Sequence, residues 1–375
     1  MDALTTPSNW QRVRLGDVGK PCMCKRVMKH QTTRYGEIPF YKIGTFGNTA
    51  DAFISKKLFL EYKTKYSFPK KGDILISASG TIGRAVIYDG KPAYFQDSNI
   101  VWIDNDETLV KNDFLFYAYS NIKWNTEHTT ILRLYNDNFR NTLIPLPPLN
   151  EQIAIANILS DLDRYLYTLR ALILKKESVK KALSFELLSQ RKRLKGFNQN
   201  WQRVRLGDIC EITTGSLDAN EMVHYGKYRF YTCAKEYYFI DKYAFDTEAI
   251  LISGNGAYVG YVHYYKGKFN AYQRTYVLDN FSEHIMFVKY FLTMFLQSHI
   301  QTNRNEGNTP YIVMATLKDF EIFLPPLNEQ IAIANILSDL DHEIISLKNK
   351  KRQFENIKKA LNHDLMSAKI RVLNK

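Results

Sequence analysis

No apolar run in this 375-residue chain approaches the roughly 18 residues of a membrane-spanning helix, so no membrane partner is expected. The stretch Met1 to Trp10 lacks the basic-then-apolar order of a secretory signal, and a cytoplasmic protein is expected. Cysteine is scarce: Cys22, Cys24, Cys210 and Cys233. The first two form a C-x-C pair where zinc modules use C-x-x-C, so four reduced thiols and no metal are expected. The eight histidines have neither ligand spacing nor a nucleophile partner. The Asn/Asp-Pro-Pro-Tyr/Phe element of adenine-N6 methyltransferases is missing, as are a Walker-A loop and a His-Glu-x-x-His pair. Gly254-x-Gly256 superficially suggests nucleotide binding. It continues into the strand-like Tyr261-Val-His-Tyr-Tyr265, leaving no helix N-terminus for a phosphate, and reads as a tight turn. These absences predict a non-catalytic chain without a cofactor.

What is present is apolar enough to fold and basic enough to bind a polyanion. Hydrophobic residues make up 45% and aromatics 14%, sufficient for packed cores. The formal charge is +13, which points to nucleic acid. The length suits two domains of roughly 150 residues.

An internal repeat organises the chain. Asn9-Trp-Gln-Arg-Val-Arg-Leu-Gly-Asp17 recurs unchanged as Asn200 to Asp208. Leu146-Pro-Pro-Leu-Asn-Glu-Gln-Ile-Ala-Ile-Ala-Asn-Ile-Leu-Ser-Asp-Leu-Asp163 recurs unchanged as Leu324 to Asp341. Between the signatures the match is looser. Phe40-Tyr41 aligns with Phe230-Tyr231, Ile74 to Ser77 with Ile250 to Ser253, and Gln96 with Gln273. Each half thus has an identical frame around a divergent interior.

Within a half, short β-branched and aromatic runs such as Asp73 to Ser77 and Arg84 to Tyr88 predict strands. Lys111 to Ile122, and Glu283 to Ile300 in the second half, have helical spacing. Pro145, Pro147 and Pro148 end the globular part. Asn150 then reads as an N-cap with Glu151 and Gln152 in the first turn. Leu159, Leu162, Leu166, Leu169 and Ile173 follow at heptad spacing, continued by Leu183 and Leu187. Leu337, Leu340, Ile344, Leu347, Phe354, Leu361 and Leu365 repeat the seam. Two helices of about 40 residues, each about 60 Å long, are expected to bury their stripes against each other. Arg191-Lys-Arg-Leu-Lys195 reads as a solvated linker.

Two variable α/β domains, each followed by Pro-Pro-Leu-x-Glu-Gln and a long helix, resemble type I restriction–modification specificity subunits. Leu146 to Gln152 and its copy Leu324 to Gln330 carry the resemblance, which covers essentially the whole chain. The strand and turn Ile74-Leu-Ile-Ser-Ala-Ser-Gly-Thr-Ile-Gly83 is also similar; Gly254 to Gly260 departs from it. The resemblance implies an α+β fold of two mixed α/β target-recognition domains separated by two long antiparallel coiled-coil helices, with a pseudo-twofold internal repeat. The expected boundaries are 1–148, 149–195, 196–326 and 327–375. It further implies double-stranded DNA with a bipartite site, two methylating subunits and two motor-nuclease subunits as partners. Two other classes stay open. One is a self-sufficient methyltransferase or nuclease, which the missing motifs oppose. The other is a free-standing DNA-binding regulator or restriction inhibitor of the same fold.

DNA contact favours Arg, Lys, Asn, Gln and hydroxyl side chains on loops. The first half offers Lys42 and Thr45; Ser79, Thr81 and Arg84; Gln96, Asp97 and Asn99; and His128, Arg133, Asn136 and Asn138. The second offers Lys235; Asn255 and Tyr258; Gln273 and Arg274; and Arg304, Asn305 and Asn308.

Overall fold

The computed structural model describes residues 9–125, 133–302 and 310–372. Two compact units emerge, and neither is a simple half of the sequence. The first joins Met1–Arg170 to Lys350–Lys375; the second is Ala171–Asn349.

In each unit the repeated Gln-Arg-Val-Arg forms one strand of a two-stranded antiparallel ribbon. Gln11–Arg14 pairs with Leu143–Leu146 and Gln202–Arg205 with Glu321–Leu324, with Val13 opposite Ile144 and Val204 opposite Ile322. The ribbon turns Ile144 and Ile322 fully inward while the arginines face out, as the two-residue period requires. Pro145 therefore lies inside a strand rather than ending the globular part. Its missing N–H is tolerated at a sheet edge.

The interiors of the units differ. In the second unit six strands form one sheet, ordered Glu211–Thr214, Thr275–Asp279, Phe245–Ser253, Val262–Ala271, Tyr228–Tyr231 and Tyr238–Ile240. In the first unit the matching strands split into a four-stranded and a three-stranded sheet. The long strand Val262–Ala271 corresponds there to Ala85–Ile87 and Tyr94–Phe95, separated by Asp89-Gly90-Lys91-Pro92. Gly90 has φ +84°, and Asp89 Oδ1 accepts from the Lys91 N–H at 2.9 Å. A turn closed this way, followed by a proline without a donor, breaks the ladder.

The predicted strands appear as Ile74–Ser77 and Ala85–Ile87, and the predicted helices as Asn112–Tyr119 and Ile285–Thr302. The first helix stops short of Ile122 because the Ser120 hydroxyl bonds the Tyr117 carbonyl at 2.7 Å.

The long helices are Leu149–Leu188 and Leu327–Met366, 40 residues each. Asn150 is not the N-cap. The Pro148 carbonyl accepts from the Glu151 and Gln152 N–H groups at 2.9 Å, so Pro148 closes the first turn and Asn150 sits inside it. Within each unit a half of one helix runs antiparallel to a half of the other. In the first unit Tyr165 packs on Phe354 at 4.7 Å between ring centres, and Lys358 reaches Asp163. In the second, Lys176 reaches Glu343 at 2.8 Å and Lys180 reaches Asp341. Leu159, Leu166, Leu169 and Ile173 are buried along the seam, as are Leu337 and Ile344; Leu162 and Leu340 are half-buried.

Candidate nucleic-acid interface

The frame is held by buried polar clamps that occur twice. Glu151 is 2% exposed. It accepts the Trp10 indole N–H at 3.0 Å and a two-pronged bond from Arg371, Nε to Oε1 at 2.7 Å and Nη2 to Oε2 at 2.9 Å. Glu329 does the same with Trp201 at 3.2 Å and Arg193 at 3.1 and 2.6 Å. A carboxylate is stable at this depth only when paired and fully hydrogen-bonded. The run Arg191 to Lys195 is thus not a solvated linker: Arg193 is the clamp, and Arg191 stacks on Phe185 at 4.7 Å.

The neighbouring glutamines work alike. Gln152 accepts from the Lys111 N–H and donates to the Pro147 carbonyl. Gln330 accepts from the His284 N–H and donates to the Pro325 carbonyl.

A second clamp joins each domain helix to the long helices. Tyr117 donates to Asp163 at 2.8 Å and Tyr290 to Asp341 at 2.8 Å, with Lys358 and Lys180 completing the sets. Burial, reinforced by the carboxylate, raises both tyrosines well above the ordinary phenol range.

The glycine turns are built the same way despite their different sequences. Gly83 N–H bonds the Ser77 carbonyl at 2.9 Å and Gly260 N–H the Ser253 carbonyl at 2.7 Å. Both glycines have positive φ, and a Cβ on Gly83 would fall 2.2 Å from the Trp124 indole nitrogen. Each turn pairs with a returning segment, Ser79 with Arg133 and Asn255 with Tyr311.

In the first unit this arrangement borders a cleft of about 530 Å³ lined by Arg26, Lys29, Lys42, Gln96, Asp97 and Arg133, among others. Asn99 lines it too, its Oδ1 accepting from the Ser79 hydroxyl at 2.7 Å. Gln96 Oε1 accepts from the Ile43 N–H at 3.0 Å. Lys42 pairs with Asp51 at 2.8 Å, and Thr45 caps the Lys42 turn.

The predicted turn residues also make bonds within the domain, although Thr81 and Arg84 stay exposed. Ser79 is 5% exposed, Thr81 accepts through its carbonyl from Ser77, and Arg84 donates to the Phe46 carbonyl at 3.0 Å. Asn136 and Asn138 lie in the short helix Asn136–Asn141; Asn138 lines a different groove, near the end of the second long helix. In the second unit Lys235 lies over the Tyr258 ring at 5.2 Å, and Gln273 and Arg274 are exposed side by side. His128, Arg304, Asn305 and Asn308 lie outside the described residues.

Strand register corrects one alignment. Gln96 N–H bonds the Tyr41 carbonyl, and Tyr272 N–H bonds the equivalent Tyr231 carbonyl. The counterpart of Gln96 is therefore Tyr272, not Gln273, and the turn that follows is one residue shorter in the second unit. Arg26 and Lys29 escaped the sequence reading, although the run Lys25-Arg26-Val-Met-Lys29-His30 displays the positive charge that marks them. The sequence presents Glu151 only as a first-turn acid and Glu329 only as part of the copied signature.

The profile of the type I restriction modification DNA specificity domain matches residues 7–177 and again 198–356. A putative type I restriction enzyme specificity subunit of Haemophilus influenzae is 62% identical over 152 residues, 40% of each chain. The EcoDI specificity subunit of Escherichia coli is 39% identical over 163 residues, 43% of this chain and 35% of the relative. The chain thus spans well under half the length of these two relatives. The MjaVIII specificity subunit of Methanocaldococcus jannaschii matches across 100% of this chain and 96% of its own length at 27% identity. Among solved structures, the type I restriction-modification S subunit from M. genitalium shares the fold, with a TM-score of 0.68, 18% identity and 98% of both chains covered. With its two framed domains matched one after the other by a single family profile, the chain belongs to the specificity subunits of type I restriction–modification systems.

Proposed function

We propose that each of the two domains reads one half of a bipartite double-stranded DNA site. The long helices set the spacer between the half-sites and dock two methylating subunits, and two motor-nuclease subunits join for cleavage. The chain itself performs no chemistry. One observation carries this reading. The clamps at Glu151 and Glu329, and at Asp163 and Asp341, are the same in both units, while the surfaces they frame differ in sheet organisation and in turn sequence. A constant frame suits a partner that binds twice; divergent interiors suit two different base sequences. The formal charge of +13 suits phosphate contact. No described helix is long and apolar enough to cross a membrane.

The test is methyl transfer from labelled S-adenosylmethionine to DNA. The purified chain alone should transfer nothing, and its complex with two methylating subunits should modify a bipartite site. Robust transfer by the chain alone would contradict the proposal.

A further inference from the structure

We propose that the cleft of the first unit reads a G·C base pair through its major-groove edge, with Gln96 and a flanking cation on guanine and Asp97 on cytosine. This rests on the DNA-reading role proposed above and narrows it to one base pair.

The argument turns on which polar atoms remain available. Adenine is read by an amide that donates to N7 and accepts from the N6 amine, so the side chain must present both its nitrogen and its oxygen. Gln96 cannot do so. Its Oε1 is taken by the Ile43 N–H, a backbone donor that has to be satisfied and that fixes which end of the amide faces inward. Asn99 is engaged likewise, its Oδ1 accepting from the buried Ser79 hydroxyl. Both amides therefore offer N–H groups to the cleft.

Arg26, Lys29 and Arg133 add further donors. Among the described residues none of the three makes an ion pair that would neutralise it. Against these donors stands Asp97, whose closest hydroxyl, Ser98, lies at a weak 3.4 Å. Ser98 sits at φ +60°, a conformation uncommon outside glycine, in the turn that carries Asp97 beside Gln96.

Clustered donors beside one carboxylate match one base pair best. Guanine shows two adjacent acceptors, N7 and O6, and its cytosine shows the N4 amine as donor. An A·T pair places a donor between two acceptors and adds the thymine methyl, which this polar group of atoms does not complement.

The test uses the full chain with its methylating partner and a randomised duplex library, comparing wild type with Gln96→Glu and Asp97→Asn. Gln96→Glu keeps an oxygen for the Ile43 N–H but turns the inward group from donor to acceptor. The wild-type complex should specify a G·C pair in one half-site. Gln96→Glu should lower discrimination at that position about tenfold or more, with the other half-site unchanged as an internal control of folding. Asp97→Asn, a change on a turn, should weaken the same position and serves alone if Gln96→Glu does not fold. A bipartite site whose bases are insensitive to both changes, or whose affected position is A·T, overturns the inference and leaves the DNA-reading role intact. A wild-type complex without any sequence preference overturns both.

Discussion

Glu151 and Arg371 are 220 residues apart in sequence and meet through two parallel hydrogen bonds, 2.7 and 2.9 Å, beneath the Trp10 indole. The equivalent pair in the second unit, Glu329 and Arg193, is 136 residues apart. The same clamp is thus made once by a connected stretch of chain and once by two distant ones.

Removing Glu151 should unsettle the first unit selectively. Glu151→Ala leaves the buried Trp10 N–H without its acceptor, at a cost of about 1–2 kcal/mol, and releases Arg371 to solvent. Hydrogen exchange should show lost protection over Gln11–Arg14 and the 369–372 stretch, with Gln202–Arg205 unaffected. Glu329→Ala should give the mirror result. Loss spread equally over both ribbons after either change would contradict independent clamps.

Acidification tests the second clamp. Burial raises the Asp341 carboxyl, but hydrogen bonds from Lys180 and Tyr290 outweigh burial and leave it below the ordinary carboxylate range. A carboxyl lowered in the folded state contributes its stability above its unfolded value, about 3.9. It loses that contribution as the pH falls through the folded value. Lys180→Met should therefore destabilise by about 1–2 kcal/mol at pH 7. The gap from wild type should begin to narrow below about pH 4 and should close only as the pH falls through the lowered folded value, where Asp341 becomes neutral in the wild type as well. Thermal melts from pH 7 to pH 3 read this directly, and a gap independent of pH would contradict it.

The repeat frame was legible because identical residues recur at a constant offset, and the heptad seam because apolar periodicity is a local signal. Long-range partners were not. Arg193 reads as one cation in a basic run, and only the fold brings it to Glu329. Gln96 reads as an amide with both ends available, until the strand ending at Tyr41 delivers the Ile43 N–H to its oxygen. Asn150 has the chemistry of an N-cap, yet the Pro148 carbonyl closes the first turn before it. Ser79, nominated for DNA, spends its hydroxyl on Asn99 inside the domain, and the exposed Arg84 lends one N–H to the Phe46 carbonyl, bonds that local sequence does not reveal.

The long helices offer a test of spacing. Arg170 meets Glu355 at 2.9 Å in the first unit and Lys176 meets Glu343 at 2.8 Å in the second. Four residues inserted after Arg170 and four after Asn349 leave both pairs intact. Each helix gains about 6 Å and turns about 40° beyond a full rotation. DNA turns about 34° per base pair. The spacer between half-sites should grow by about one or two base pairs with unchanged half-site bases. Two-residue insertions turn the helix about 200° and should abolish specific binding. An unchanged spacer in the four-residue variant would remove the helices as the ruler.

The most direct test of a constant frame around exchangeable readers is to give the chain two copies of one reader. Val18–Ile144 is replaced by Ile209–Ile322, a graft that brings Tyr290 to Asp163 and the His284 N–H to Gln152, so the clamps persist. The measurement is methylome sequencing of a host expressing the graft with the methylating partner. The account predicts modified sites made of two inverted copies of the second half-site. Sites without inverted symmetry, or sites that retain the first half-site, would contradict it.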